Sequence, residues 1–524
     1  MEEQQQVDDI LDNEITMEEL KHAVFSQKNN KSSGIDCIKS EVYKHAFGNL
    51  SPLILQLFNR MFINQEYPTS WGSGIIVPIF KSGDINDAKN YRGITLINII
   101  AKIYSQILLN RLTKWSIFHN KIVDNQFGFQ KGKSTIDCIF LLHSIILKTL
   151  SKKQKLYCAF VDFEKCFDKL NRLFIFQKLS EQNVSKRFVN AIKCMYNVVK
   201  AAVRFNANTS NFFDSNIGAK QGDPSSSLLF LYFINDIIDR LNENVNADDI
   251  FTLNESKLFI LLFADDAILF SHSPNGLQVL LDNLNNYCQN WGMKLNTKKT
   301  KIMIFESGRH TSHDFFLNET LLEVVNSFKY LGIHLFKNGH INRTQKKIAQ
   351  HAAYSLHNLF IVFNQIELNI KDKCKLFDSL VASVLNYGAE LLGTYECKDI
   401  EHIHCKFLRK ILCVKKCTNL SGLYGETGRY TMHIRRKIIM FKYWLKLLKL
   451  NDNCLLKSIY NMQKEDADNN ITYKGLNWAS VIKKYLCEMG LQYMWMQQND
   501  IEINYHLIKN RIIDNFKQSW YSNI

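Results

Sequence analysis

Proline is scarce, 5 in 524 residues, and neither an internal repeat nor a low-complexity block interrupts the chain. Long disordered linkers are therefore not expected, and 46% hydrophobic residues fit an ordered, globular protein. No apolar run reaches the roughly 18 uncharged residues that a membrane span needs, so a soluble protein without membrane contact is expected. The opening MEEQQQVDDILDNE is acidic and polar, unlike a secretory signal. Thirteen cysteines fall at no framework spacing. A secreted disulfide scaffold is excluded, and a reducing intracellular compartment, nuclear or cytoplasmic, is expected.

What the chain has in excess is positive charge, a formal +15 with a pI near 9.0. A polyanionic partner, nucleic acid or an acidic membrane surface, is the natural match. The excess is concentrated. Between Lys406 and Lys449 stand 12 Lys or Arg against one acid, Glu426, although a basic run is also what a solvated helix face looks like.

Leu258–Phe270, LFILLFADDAILF, is apolar except for Asp265 and Asp266. Its length and its Leu, Ile and Phe content predict two short buried strands with the acids at the bend between them. Asp-Asp is ordinary turn chemistry. It is also a metal signal, because two carboxylates between water-excluding strands repel unless a cation or a proton neutralises them. A second apolar strand, Leu156–Phe163, carries Asp162 near its end and has the same need of a partner. Asp168 is expected to cap the helix that follows, running to Leu179.

Upstream, residues 15–64 predict two or three short helices, and Ile75–Phe80 with Asn90–Ile94 predicts a hairpin bringing Lys81 near Arg92, a pair able to clamp a triphosphate. Helical periodicity runs from Ile97 to Leu112. In Gln126–Thr135, QFGFQKGKST, three residues intervene between Gly128 and Gly132 where a phosphate loop needs four; Lys131 and Lys133 read as contacts to a nucleic-acid backbone. Gly218–Ser225 is a glycine-rich turn before the apolar helix Leu228–Leu241, and two glycines there allow a close backbone approach. Downstream, Leu277–Trp291 predicts an amphipathic helix, Ile302–Phe305 a strand and Phe328–Leu335 a short strand pair. Ile348, Ala352, Leu356, Leu359 and Phe363 mark one helix face. Ile434, Ile438, Phe441, Leu445 and Leu448 mark another, with Arg435, Lys442, Lys446 and Lys449 predicted as an outward positive stripe. Cys405, Cys413 and Cys417 with His402 and His404 lack zinc-knuckle spacing and read as ordinary thiols and imidazoles.

In chain order, NNKSSGID, VPIFKSGDINDAKNYRGITL, QFGFQKGKSTID, AFVDFEKCFD, GAKQGDPSSSLLF, LLFADDAILF, WGMKLNTKKTK and FKYLGI resemble the reverse transcriptase of non-LTR (long interspersed) retrotransposons. The likeness runs from about Ile15 to Leu335, and more loosely to about residue 450. It implies an α+β right-hand polymerase: N-terminal helices and fingers over 1–155, palm with part of the fingers and the primer grip over 156–335, a helical thumb or connector over 336–420, and a basic, mostly helical region over 421–524.

The resemblance also implies roles. Asp162, Asp265 and Asp266 would be the catalytic carboxylates holding two Mg2+ ions, with Mn2+ a possible substitute. Phe167 would lie under the incoming sugar and exclude a 2′-hydroxyl. Lys81 and Arg92 would grip the triphosphate, Gln221 and Gly222 would support nucleotide and template, and Lys299 would stand near the leaving group, with Lys294, Lys298 and Lys301 competing. Tyr330, Leu331 and Gly332 would be the primer grip, and Lys131, Lys133, Arg435, Lys442 and Lys446 would contact nucleic-acid backbone. Partners would be an RNA template, a DNA primer or target DNA, and dNTPs, with an endonuclease in another domain or chain. Two departures stand out. Ser225-Ser226-Ser227 replaces the usual Leu-Ser-Pro, which is expected to loosen the start of the helix, and Cys166 replaces an alanine. Ala264, where viral RNA-dependent RNA polymerases carry glycine, argues against that class, while a decayed, non-catalytic nucleic-acid binder is the alternative.

Overall fold

The computed structural model describes residues 8–206, 208–220, 222–253, 256–306, 308, 313–471, 477–498 and 503–522. The strands that position the site are β1 (Ser73–Phe80), β2 (Tyr91–Leu96), β3 (Leu156–Asp162), β4 (Lys200–Phe205), β5 (Ile260–Phe263), β6 (Asp266–Ser271), β7 (Lys301–Phe305), β8 (Ser327–Tyr330) and β9 (Ile333–Phe336). One sheet runs β2-β1-β4, with the first pair antiparallel and the second parallel. The central sheet runs β7-β3-β6-β5, every pair antiparallel, with the short strand Glu323–Val324 on the outer side of β7. β8 and β9 form a separate hairpin.

The central strands are apolar on both sides because both sides are covered. Alternate residues point to opposite faces: Ala159, Leu262, Leu269 and Ile302 enter one core, while Cys158, Phe160, Leu261, Ile268 and Met303 enter the other. The first core packs against Met17–Ser26, Phe47–Asn64, Ile99–Phe118, Ser226–Ile234 and Pro274–Asn290. The second packs against Thr135–Ser151 and, beyond it, Met432–Leu448, Leu455–Asp468 and Trp478–Glu488. A third, separate core joins Arg343–Gln365, Ile370–Phe377 and Lys398–Ile411. The architecture is the expected α+β.

Several local readings change. The predicted helix Leu228–Leu241 is two helices, Ser226–Ile234 and Ile237–Leu241. The break falls at Asn235, whose amide accepts from Val123 N–H at 3.0 Å and donates to the Lys121 carbonyl at 2.7 Å. Asp168 does not cap the helix that ends near Leu179. Asn171 does, accepting from Leu173 N–H at 3.0 Å, because the chain first makes the short turn Cys166–Lys169.

The largest change concerns Met432–Leu448. The expected apolar face is present, but Arg436, Met440, Tyr443, Trp444 and Leu447 are buried as well, so the helix is enclosed on most sides. Two of the four cations of its positive stripe are neutralised within the fold, and Lys449 is exposed. Arg435 pairs with Asp378 at 2.8 Å and Lys446 with the fully buried Asp137 at 2.6 Å, while Lys442 stays exposed. Further ties lie alongside: Lys148 pairs with Asp466 at 2.6 Å, and Gln463 donates to Ser144 at 2.6 Å.

Candidate active site

β5 and β6 are joined by Ala264 and Asp265, since Asp266 is paired with Phe263 across the hairpin. Ala264 has φ +57 and Asp265 does not share the positive φ, the pattern of a tight hairpin turn whose first position favours glycine. Asp265 therefore projects from the tip and Asp266 begins the outgoing strand. On the other side of β6 the register sets Asp266 directly opposite Asp162. Residues paired in this way share a sheet face with Cα atoms about 4.5–5.5 Å apart. Three acids from two stretches a hundred residues apart are thus neighbours at one end of the central sheet.

Like charges placed opposite one another are unfavourable. Burial, reinforced by the charges of Asp265 and Asp162, pushes Asp266 up to about 6, even though its outer edge meets water. Burial also raises Asp162, against the pull of Lys299 and a hydrogen bond from Asn296. Lys299 Nζ lies 3.8 Å from Asp162 Oδ2, whereas Lys301 is committed to Glu323 at 2.6 Å. Among the four candidate lysines, Lys299 is the one ion-paired with a site acid among the described residues. Cys166 Sγ sits 3.9 Å from Asp265 Oδ2.

The donors suit a hard divalent cation: carboxylate oxygens in excess of positive charge, with one carboxyl already driven toward protonation. Asp162 is turned to Lys299 and Asp265 to Cys166, and among the described residues no three His, Cys, Asp or Glu groups are gathered as a metal cage. The residue chemistry fits a divalent cation.

Around the acids stand the other residues singled out from the sequence. Phe167 packs on Phe230, ring centroids 4.6 Å apart, and on Phe129 at 6.1 Å. Its carbonyl accepts from Ala219 N–H at 2.8 Å, which ties the Phe167 turn to the glycine-rich turn. Gly222, at φ +123, lies so close to β2 that a Cβ would fall 2.1 Å from the Thr95 carbonyl oxygen. Gln221 lies outside the described residues. The expected loosening at Ser225–Ser227 is not found: Ser225 N–H and Oγ both donate to Asp223 Oδ1, at 2.9 and 2.8 Å, and Ser226 Oγ donates to the Lys220 carbonyl at 2.8 Å. Hydroxyls close the turn that proline closes in the family pattern.

Lys81 and Arg92 are exposed. Arg92 is paired with Ile79, two residues before Lys81, so both cations share one face of the hairpin. Tyr330, Leu331 and Gly332 form the β8–β9 turn, with φ +42 and +83 at Leu331 and Gly332, and Tyr387 donates its hydroxyl to the Leu331 carbonyl. Lys133 is not free for a phosphate. Its ammonium is held by Asp124 Oδ1 at 2.7 Å, the Asp124 carbonyl at 3.0 Å and the Gln126 carbonyl at 3.1 Å, which uses all three donors. Lys131 is exposed. His404 and Cys405 bond Glu401 and Tyr424 within a buried network, as expected of ordinary side chains.

Sequence reasoning missed Gln126 and Tyr387. Neither carries a charge, although Gln126 opens the QFGFQKGKST segment, and each works through a backbone atom of a distant turn.

Residues 79–335 match the family model described as reverse transcriptase (RNA-dependent DNA polymerase). The probable RNA-directed DNA polymerase from transposon X-element of Drosophila melanogaster is 23% identical, covering 72% of this chain and 41% of that protein. The RNA-directed DNA polymerase from mobile element jockey of the same fly is 22% identical, covering 76% and 44%. The chain spans less than half the length of these relatives. A solved telomerase from Candida albicans with a TWJ fragment of telomeric RNA is 12% identical, covers 82% of this chain and 67% of that one, and has a TM-score of 0.40. No helix among the described residues is long and apolar enough to cross a membrane. Residues 79–335 of this chain are a reverse transcriptase domain, similar to those of non-LTR retrotransposon polymerases.

Proposed function

We propose that the chain is an RNA-directed DNA polymerase that extends a DNA primer on an RNA template by nucleotidyl transfer. The observation that carries this reading is the β3–β6 register, which sets Asp162 opposite Asp266 with Asp265 beside them. Asp162 and Asp265 would hold two Mg2+ ions, with Asp266 in support; bound there, the ions supply charge stabilisation for the attacking 3′-oxygen and the departing pyrophosphate. Lys81 and Arg92 bind the triphosphate from the hairpin face they share. Phe167 underlies the sugar, Gln221 and Gly222 support nucleotide and template, and Lys299 donates toward the leaving group. The Tyr330–Gly332 turn steadies the primer end.

The same reading divides the chain into fingers over 1–155, palm over 156–335, thumb or connector over 336–420 and a basic region over 421–524. It also makes RNA template, DNA primer and dNTPs the partners, inside the cell, with an endonuclease supplied by another domain or chain. Lys131 and Lys442 remain exposed for backbone contacts. Incubation with poly(rA), oligo(dT), dTTP and Mg2+ tests the reading. Incorporation well above that of Asp265→Asn is expected, and incorporation equal to it overturns the proposal.

A further inference from the structure

Ala264 is a strained residue beside the acids. It holds φ +57 without being glycine, it is buried at 7% exposure, and it immediately precedes the two acids of the turn. A non-glycine residue persists there only when its surroundings over-determine the conformation. The surroundings lie 138 residues upstream. Gln126, 2% exposed, accepts the Ala264 N–H with Oε1 at 3.0 Å, and the same oxygen accepts Gly128 N–H at 2.8 Å.

The rest of the segment is fitted to this bond. Leu262 N–H donates to the Asn125 carbonyl at 2.9 Å and Phe127 N–H to the Leu262 carbonyl at 2.7 Å, so Asn125–Phe127 runs along β5 as a short parallel rung on the outer side of the sheet. Asn125 Nδ2 donates to the Ile260 carbonyl at 2.9 Å. Gly128 comes so close that a Cβ would stand 2.2 Å from Ala264 N, which leaves room for no other residue against the turn.

The segment is itself gripped from two sides. Asn235 accepts Val123 N–H at 3.0 Å, and Asp124 accepts Leu455 N–H at 2.5 Å, at the start of the helix Leu455–Asp468. Lys133 closes the loop internally through its three oxygen contacts.

From this geometry we infer that Gln126 is a positioning residue: its side-chain oxygen fixes the Ala264 turn and thereby sets where Asp265 stands relative to the ladder-held Asp162 and Asp266. The inference rests on the polymerase reading. Its physical content is separate, because a turn that loses this side-chain acceptor lets Asp265 swing at its tip, whereas the β3–β6 ladder holds Asp162 and Asp266 regardless. A filler on the outer side of β5 would need apolar bulk alone. Gln126 instead spends one oxygen on two amides, and its Nε2 has no partner among the described residues.

Gln126→Met keeps the length and removes the acceptor; Gln126→Glu keeps an acceptor oxygen. On poly(rA)·oligo(dT), Gln126→Met is expected to lower kcat by about 10- to 100-fold with little change in the KM for dTTP, the loss that about 1 Å of misplacement causes. Gln126→Glu is expected to recover most of that loss at saturating Mg2+. Electron paramagnetic resonance of Mn2+ with the full chain, no nucleic acid present, is expected to show weaker binding to Gln126→Met than to the wild type. Equal loss in the two variants, or a folded Gln126→Met with kcat and Mn2+ affinity within about twofold of wild type, overturns the inference. Should the wild type itself fail to outdo Asp265→Asn, the polymerase reading falls while the Mn2+ comparison still decides the role of Gln126.

Discussion

Gly222→Ala offers the sharpest test of how the glycine-rich turn meets the fingers hairpin. The added Cβ would lie 2.1 Å from the Thr95 carbonyl oxygen, against a limit near 3.0 Å that real contacts respect, so the two backbones must part by about 1 Å. Thr95 is paired with Ile76 in the β1–β2 ladder, which leaves the sheet little freedom to yield. Displacement of the turn is the cheaper response, and it carries Gly222 away from its place against β2. Forcing alanine to φ +123 costs about 1–3 kcal/mol, and relieving the overlap about as much again, for a total of about 2–6 kcal/mol. Gly132→Ala is the control, with φ +86 and nothing within 4 Å, so that only the backbone cost applies. Thermal melting and the KM for dTTP read the two variants. Gly222→Ala is expected to melt well below Gly132→Ala and to raise the KM; equal melting of the two variants, with an unchanged KM, would refute the close approach.

Three other outcomes are expected. Because Asp266 is raised to about 6 from an ordinary 3.8, the folded state holds its proton where the unfolded state has released it, so this group costs stability as pH rises through that window, and metal must displace the proton below about pH 6; Mn2+ affinity measured at about pH 5 and about pH 7.5 should be weaker at the lower value. Lys446→Ala strips the buried Asp137 of its cation and should destabilise by about 1.5–3 kcal/mol, whereas Lys442→Ala should stay within about 0.5 kcal/mol, both read by denaturant unfolding. Phe167→Ala empties the space beside Phe230 and should raise rNTP relative to dNTP incorporation at least about tenfold in matched single-nucleotide assays.

The elements that frame the acids were legible because their signal is local. Apolar runs of four to seven residues interrupted by acids read as strands with the acids at their ends, and β3, β5 and β6 are those strands. The hairpin of β1 and β2 and the face Ile348, Ala352, Leu356 and Leu359 follow from periodicity in the same way. What failed depended on partners far along the chain. Nothing near Lys446 announces Asp137, and nothing near Arg435 announces Asp378, so two neutralised cations read as a free stripe. Lys133 looked like a phosphate contact because its oxygen partners include two carbonyls, which the sequence does not display. The serine run at 225–227 looked like a loss because a hydroxyl's worth at a turn depends on Asp223 being in reach.

The helices after residue 430 matter in one more way. They cover Phe140, Ile145 and the outer wall of Thr135–Ser151, and they pin that helix through Lys148–Asp466 and Lys446–Asp137. A recombinant version trimmed just beyond β9 would therefore bare a broad greasy wall and strand two acid–base pairs, so that aggregation of such a truncated product would reflect a missing buttress and say nothing against the chemistry of the three acids.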